Sequence, residues 1–276
     1  MSGAISAAIL VSTPALAWGD YAHRVIAGIA LRSLTPAASR EVDRLLGSEA
    51  LIATPLCPVA SLGDASVWAD CVRTRYKERF AQLSRWHYVN VDVCGTFTLA
   101  GCSDGQCVTA ALKRQLAVLG DRRAPREARV MALNWVAHLT GDLHQPLHVG
   151  DNGDRGGNQV EVEFGDRRSR YGQNLHGIWD RDLAETAIGL MRVTSSAESQ
   201  AIGAASARGS VDNWARETWV VARTSAYGPL LGNRCTLPGM PIAISDDYAR
   251  QSVPVIQLQI RRAGVRLAML LNRALS

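Results

Sequence analysis

The stretch PREARVMALNWVAHLTGDLHQPLH, residues 125–148, decides the fold. Pro125 stands where a helix begins and Pro146 just past where it ends, so Pro125 to Leu143 reads as one strong helix. His138 and Asp142 lie four residues apart within it. At that spacing an imidazole and a carboxylate share one helix face. His176 and Asp180 repeat the spacing in a later predicted helix. His148 follows Asp142 by six residues, across Pro146, at the start of a loop. Asp70 lies on a further predicted helix, within Trp68-Ala69-Asp70.

Helical patterning continues outward in both directions. Asp20 to Leu34 carries apolar residues at helical spacing, and Thr35-Pro36 opens a helix that runs to Leu46. Ser66 to Leu83, Cys107 to Leu119, Leu175 to Met191, Ser196 to Thr224 and Asp246 to Leu275 read the same way, the last with Pro254 as a candidate kink. Two segments differ. Trp86 to Val93 alternates and reads as extended, and Val160 to Phe164 alternates before Gly165-Asp166, which predicts a small β-hairpin near residues 159–172. Asp151 to Asn158 is dense in Gly and Asn and reads as a loop. The expected architecture is one all-α domain over residues 18–276 with a minor β element.

Composition agrees with a globular chain. Of 276 residues 47% are hydrophobic and 20% charged, which excludes disorder, and 24 Gly with 10 Pro exclude a collagen-like repeat. No Rossmann fingerprint, P-loop or Gly-x-Ser-x-Gly elbow occurs. The net charge of +5 permits a polyanionic substrate without requiring one. Residues 1–17 carry no charge, hold a short apolar run from Ile5 to Val11, and end in Ala15-Leu16-Ala17. That is the pattern of a signal peptide cleaved before Trp18, although a basic n-region is missing. No other apolar run reaches the roughly 18 residues of a membrane span. Cys57, Cys71, Cys94, Cys102, Cys107 and Cys235 are an even set with no CxxC, which favours disulfides in an oxidising compartment. Fifteen pairings are open to six cysteines. A local bridge is expected among Cys94, Cys102 and Cys107, around a Gly-rich loop.

The six histidines are His23, His87, His138, His144, His148 and His176. Nearly every one has an Asp or an aromatic residue at ligand spacing, and imidazole with carboxylate suits zinc. A lone HxxxD is common by chance; the joint pattern is not. Taken together, Trp18-Gly19 with His23, Trp68-Ala69-Asp70 with Arg73, Trp86-His87-Tyr88, the run His138 to His148, Gly156-Gly157-Asn158, and Asn174-Leu175-His176 with Trp179-Asp180 resemble the zinc-dependent single-strand nucleases of the S-one/P-one type, relatives of the bacterial zinc phospholipases C. The likeness runs from Trp18 to about Asp180; Ala22 departs from it where the family usually has Gly.

The resemblance implies three Zn2+ ions. One would be held by Asp70, His87, His138 and Asp142, a second by His148, His176 and Asp180, and a third by His23, Asp142 and the freed amine and carbonyl of Trp18. Asp142 would bridge two of them, and His144 would have no ligand role. Asp70, Asp142 and Arg73 would form the catalytic set, Arg73 holding a phosphate oxygen; the bland alternative for Arg73 is a surface salt bridge. Tyr88 would stack on a base, or else pack in the core. Asn90, where many relatives carry Asp, and Asn158 would meet base edges, Asn158 having a turn role as its alternative. The implied activity is secreted or periplasmic hydrolysis of single-stranded DNA and RNA to 5′-phosphorylated products, with 3′-nucleotidase action, by a monomer. Zinc phospholipase C is the alternative enzyme; Asp180 and the Gly-Gly-Asn loop favour the nuclease, since the phospholipases tend to have Glu at the Asp180 position. A non-catalytic zinc-binding protein is the third reading, and a bridging Asp142 beside Arg73 argues against it.

Overall fold

A computed structural model of the chain describes residues 18–165, 173–191, 208–232 and 235–276. The expected signal peptide, residues 1–17, lies outside them. Helix α1 (Asp20–Leu31) is followed by α2 (Pro36–Leu46). The α2 start is as the sequence predicts: Pro36 occupies the first turn and Thr35 Oγ1 accepts the Ala38 N–H at 3.2 Å. Helix α3 (Leu62–Arg75) begins earlier than expected because Ser61 caps it, and it breaks at Tyr76 before the short α4 (Lys77–Phe80). Then come α5 (Val108–Gly120), α6 (Arg126–Asp142) and the one-turn α7 (Pro146–Val149). The expected helix from Leu175 is three pieces: α8 (Leu175–Gly177), a π-helical turn Ile178–Asp182, and α9 (Leu183–Gly189). Of the stretch Ser196 to Thr224, residues 196–207 lie outside the described residues; α10 (Val211–Val221) starts at a Ser210–Asn213 capping box. Helix α11 (Asp246–Leu275) runs unbroken through Pro254.

Helix α6 is the axis of the molecule. From Leu133 to Asp142 every residue is buried. It packs against α3 and α5, while α1 packs against α3 and α11. A helix buried on all sides sits in the centre of a core. Polar atoms carried on it are therefore desolvated and need partners. Gly264 lets α11 approach α1 closely; a Cβ there would stand 2.5 Å from Ile29 Cβ.

The β structure is smaller than expected. Trp86 belongs to a 3-10 stretch, Ala81–His87, and packs edge-on against Trp135 at 4.9 Å between ring centroids, so extended chain begins only after His87. From there His87, Val89, Val91 and Val93 are buried and Tyr88, Asn90 and Asp92 exposed. Strand β1 (Val91–Asp92) pairs parallel with β2 (Gly150–Asp151). Among the described residues the hairpin expectation is met at its base. The bridge Glu161–Asn174 is antiparallel, with the Val162 N–H donating to Gln173 O and the Leu175 N–H to Val160 O, each at 2.9 Å. Strand β3 (Val162–Glu163) also pairs, in parallel, with β4 (Ile242–Ala243), which the sequence did not predict. The predicted tip, residues 166–172, lies outside the described residues. Backbone donors of the distant segment reach this strand on its other edge: the Ile242 N–H donates to Glu161 O and the Ile244 N–H to Glu163 O, each at 2.9 Å.

All six cysteines pair, as Cys57–Cys71, Cys94–Cys235 and Cys102–Cys107. The local bridge excludes Cys94, which reaches across the chain. Three disulfides fit an oxidising compartment. Among the described residues, no helix is long and apolar enough to cross a membrane.

Candidate metal centre

Three sets of ligand-type atoms converge where α1, α3, α6, α7 and α8 meet: His23, His138 and Asp142; Asp70, His87 and His138; and His148, His176 and Asp180. All are buried. The first two sets share His138, and Asp142 touches both. Its Oδ2 lies 3.0 Å from His138 Nε2 and 3.0 Å from His87 Nδ1, and its Oδ1 lies 3.4 Å from His23 Nε2. The two nitrogens His138 Nε2 and His87 Nδ1 stand 2.9 Å apart. In the third set His176 Nε2 lies 3.2 Å from Asp180 Oδ2. Two imidazole pairs stack: His23 on His138 at 4.3 Å and His148 on His176 at 5.0 Å.

The orientation of the rings is built in. His138 Nδ1 bonds the Ser66 carbonyl at 2.7 Å, His148 Nδ1 the His87 carbonyl at 2.8 Å, and His176 Nδ1 the Gly156 carbonyl at 2.6 Å. A carbonyl can only accept, so each Nδ1 must carry the proton. Each Nε2 then faces the interior, where it offers a lone pair whenever the ring is neutral, as in metal-binding histidines. Meanwhile His148 Nε2, both His23 nitrogens, Asp142 Oδ1 and Asp180 Oδ2 are buried with no hydrogen-bond partner. An orphaned buried polar group costs about 1–3 kcal/mol. Five such atoms on these three sets fit divalent cations, which would satisfy them together.

Electrostatics tell the same story. Burial drives His138 down, but the carboxylates of Asp142 and Asp70 overcome it and hold it up at about 9. Asp142 falls well below the usual carboxylate range; burial opposes the fall, and His138 and His148 drive it. His148 is pushed down to about 4, mainly by burial.

The other expected residues sit as follows. Trp18 is fully buried, and the Gly19 N–H donates to the Asp180 carbonyl at 2.9 Å, which ties the start of α1 to the third set. Arg73 Nη2 lies 3.0 Å from Asp70 Oδ1, with 16% of its side chain exposed, so it is no surface pair. Tyr88 is 38% exposed and is not a core residue. Its neighbour Val89 donates to the His148 carbonyl at 2.9 Å, so this segment runs beside the ligand sets. Asn90 has φ +49°, a left-handed corner that Asn tolerates, which gives it a backbone reason to be there. Asn158 Nδ2 donates to Arg155 O at 2.8 Å, a turn contact. His144 is turned away: Nδ1 bonds Thr140 O at 2.7 Å and Nε2 accepts from Arg266 at 2.9 Å. Burial and the Arg266 charge push it down to about 3.

Two residues quoted within the sequence motifs, but given no role of their own there, contribute to the site. Gly156 supplies the carbonyl for His176 from φ +63°, a conformation that the Gly-Gly pair signals. Gln145, directly before the Pro146 that opens α7, bonds Asp180.

A mostly helical protein that buries imidazoles and carboxylates around one space is built as a metal-dependent hydrolase. The comparisons specify which. The sequence profile of the S1/P1 nuclease family matches residues 18–276, and the chain belongs to that family. It is 29% identical to Endonuclease 2 of Arabidopsis thaliana over 93% of this chain and 90% of that protein. Nuclease S1 of Aspergillus oryzae is 24% identical, over 92% of this chain and 91% of its own length. Nuclease P1 of Penicillium citrinum is 25% identical, over 92% and 97%.

Proposed function

We propose that the protein is an exported, monomeric zinc enzyme that hydrolyses single-stranded DNA and RNA to 5′-phosphorylated products and removes 3′-phosphates from nucleotides. The observation that carries this reading is the set of three buried imidazoles locked by backbone carbonyls beside buried carboxylates, in a chain of this family. Three Zn2+ would be held by Asp70, His87, His138 and Asp142; by His148, His176 and Asp180; and by His23, Asp142 and the amine and carbonyl of Trp18 once residues 1–17 are removed. Zinc so held supplies Lewis-acid charge neutralisation and water of lowered pKa.

The chain's own groups do the rest. Asp142 is the one carboxylate within reach of two sets, so it fixes their separation. Arg73, held by Asp70, offers its guanidinium to a phosphate oxygen as charge builds in the transition state. Tyr88 stacks on a base, worth about 1–3 kcal/mol and tolerant of sequence. Asn90 and Asn158 present amides to base edges. Bases already stacked in a duplex cannot use such a platform, which favours single strands.

The test is hydrolysis of single-stranded DNA, RNA, 3′-AMP and phosphatidylcholine, with zinc content measured beside it. Cleavage of the first three, lost after prolonged EDTA and restored by zinc better than by magnesium, is expected. Full activity in excess chelator would overturn the zinc reading. Phosphatidylcholine as the preferred substrate would move the protein to the phospholipase side, and zinc without any hydrolysis to metal storage.

A further inference from the structure

Gln145 lies between Asp142 and His148 in sequence and is fully buried, yet it belongs to none of the three ligand sets. Both ends of its amide are engaged. Oε1 accepts the Leu147 N–H at 2.5 Å, which caps the one-turn helix carrying His148. Nε2 donates to Asp180 Oδ1 at 2.6 Å. The backbone is tied as well: its N–H donates to the Asp142 carbonyl at 3.0 Å, and its carbonyl accepts from the His148 N–H at 3.1 Å.

The amide has only one allowed orientation. Reversed, it would set an NH2 against the Leu147 N–H and a carbonyl oxygen against a carboxylate, with two donors and two acceptors facing each other. The helix cap therefore dictates that a donor faces Asp180. That donor occupies Oδ1 and fixes the carboxylate's direction. Oδ2 stays turned toward His176 Nε2, 3.2 Å away, with no hydrogen-bond partner of its own. A metal ligand must be held in direction, and a group bonded to the ligand's other atom does that.

We infer that Gln145 is a positioning residue for the His148–His176–Asp180 site: it couples the cap beneath His148 to the carboxylate of Asp180 and so fixes two ligands of one ion with a single side chain. The inference rests on the metal reading above. It has a separate readout, because it concerns the occupancy of one site among three.

Gln145→Glu separates the two ends. The variant keeps an acceptor for the Leu147 N–H and nearly the same volume, so the cap and the fold stay. It loses the donor and sets a second carboxyl against Asp180. Gln145→Met removes the donor without adding charge, and Asp180→Asn gives the reference loss for this site. Zinc content after equilibration with a competing chelator is measured at neutral pH, with circular dichroism as the check on folding. Outer contacts of this kind are worth about 10–100-fold in metal affinity. Both Gln145 variants should release one ion at roughly 10–100-fold lower chelator concentration, with the remaining zinc unchanged. The Gln145→Glu/Asp180→Asn double variant should lose no more zinc than Asp180→Asn alone. Zinc retention equal to the parent protein in both Gln145 variants, tighter binding, or an equal loss from all sites in folded protein would overturn the assignment. A parent protein that holds no zinc would instead overturn the metal reading on which it rests.

Discussion

The ligand set around His138 and the set around His176 use the same side chains on different scaffolds. The first rides on α1, α3 and α6, helices of 12, 14 and 17 residues packed on one another, with His87 at the end of a 3-10 stretch. The second rides on a one-turn helix, a three-residue helix and a π-helical turn. In the first, helix packing fixes the ligands, and the one backbone anchor, Ser66 O, belongs to a helix. In the second, direction comes from isolated contacts: the His87 and Gly156 carbonyls and the Gln145 amide. Charge does not separate them. Against burial, Asp142 and Asp70 hold His138 at about 9, and Asp180 likewise lifts His176. Burial lowers His87 in the first half and takes His148 to about 4 in the second. The difference is thus one of scaffold: packed helices set the first, isolated contacts the second.

The hardest blow to that contrast is one that strikes across it. Asp142 reaches His23, His87 and His138 on one side and lies 3.6 Å from His148 on the other. Asp142→Asn should remove metal from more than one set and lower cleavage by at least about 10³-fold, since charge stabilisation at the reacting phosphate is lost with the ions. In metal-free protein it leaves Asp70 as the remaining carboxylate that raises His138, and removing one partner of a buried charge cluster should cost about 1–3 kcal/mol. Zinc analysis and thermal melting of the apo protein check both parts. An Asp142→Asn protein with full zinc would contradict the bridging role.

The same contrast explains what could be read without coordinates. His138 with Asp142 was visible because a helix turns imidazole and carboxylate to one side every four residues. The α2 cap and the paired cysteines were equally local. Gln145 was not, although it stands inside the quoted run, because its role needs Asp180, which only the folded chain brings near. The break of the Leu175–Gly189 region into three pieces starts right after Gly177, but a lone Gly inside a helical pattern does not announce a π turn, and no Pro or Gly marks its end at Asp182. The pairing of Val162 with Ile242 joins segments far apart in sequence, and alternation at residues 160–164 could not name its partner. The alternation at 86–93 was real but began one residue late, since Trp86 serves the aromatic packing around Trp135.

Two glycines sharpen the comparison, one in each half. A Cβ at Gly156 would stand 2.2 Å from the Leu147 carbonyl, at φ +63°. Neither obstacle can yield without moving backbone. Gly156→Ala should cost on the order of 2–4 kcal/mol, the sum of left-handed strain and overpacking. A Cβ at Gly141 would stand 2.6 Å from the His23 ring, in ordinary helical backbone. There a side chain can swing aside, so Gly141→Ala should cost about 1–2 kcal/mol while displacing His23 from its set. Denaturant melts with zinc analysis separate the cases: the loop variant loses more stability, and the helix variant loses an ion while staying folded. Equal losses of stability would erase the distinction between the scaffolds.

The smallest effect concerns the loop that carries Gly156. Asp154 Oδ1 accepts from the Gly157 N–H at 2.7 Å and from Tyr227 Oη at 2.5 Å, while Asp151 Oδ1 accepts from the Asp154 N–H at 3.1 Å and the Gly156 N–H at 2.8 Å. Burial lifts the Asp154 carboxyl above its ordinary range; the bonds from Tyr227 and Gly157 oppose the lift, and the neighbouring Asp151 carboxyl adds to it. A carboxyl with a higher pKa in the folded state gives its full stabilisation below the ordinary Asp range and loses it as pH rises through the lifted value. Asp154→Asn keeps Oδ1 for both donors, does not titrate, and turns an NH2 in place of the second oxygen. Its melting temperature should therefore gain on the parent protein as pH rises from 4 to 8, by less than either glycine change takes away. Melts at several pH values decide it. A gap independent of pH would mean that Asp154 ionises equally in folded and unfolded chains, and that the loop half owes nothing to this pair of acids.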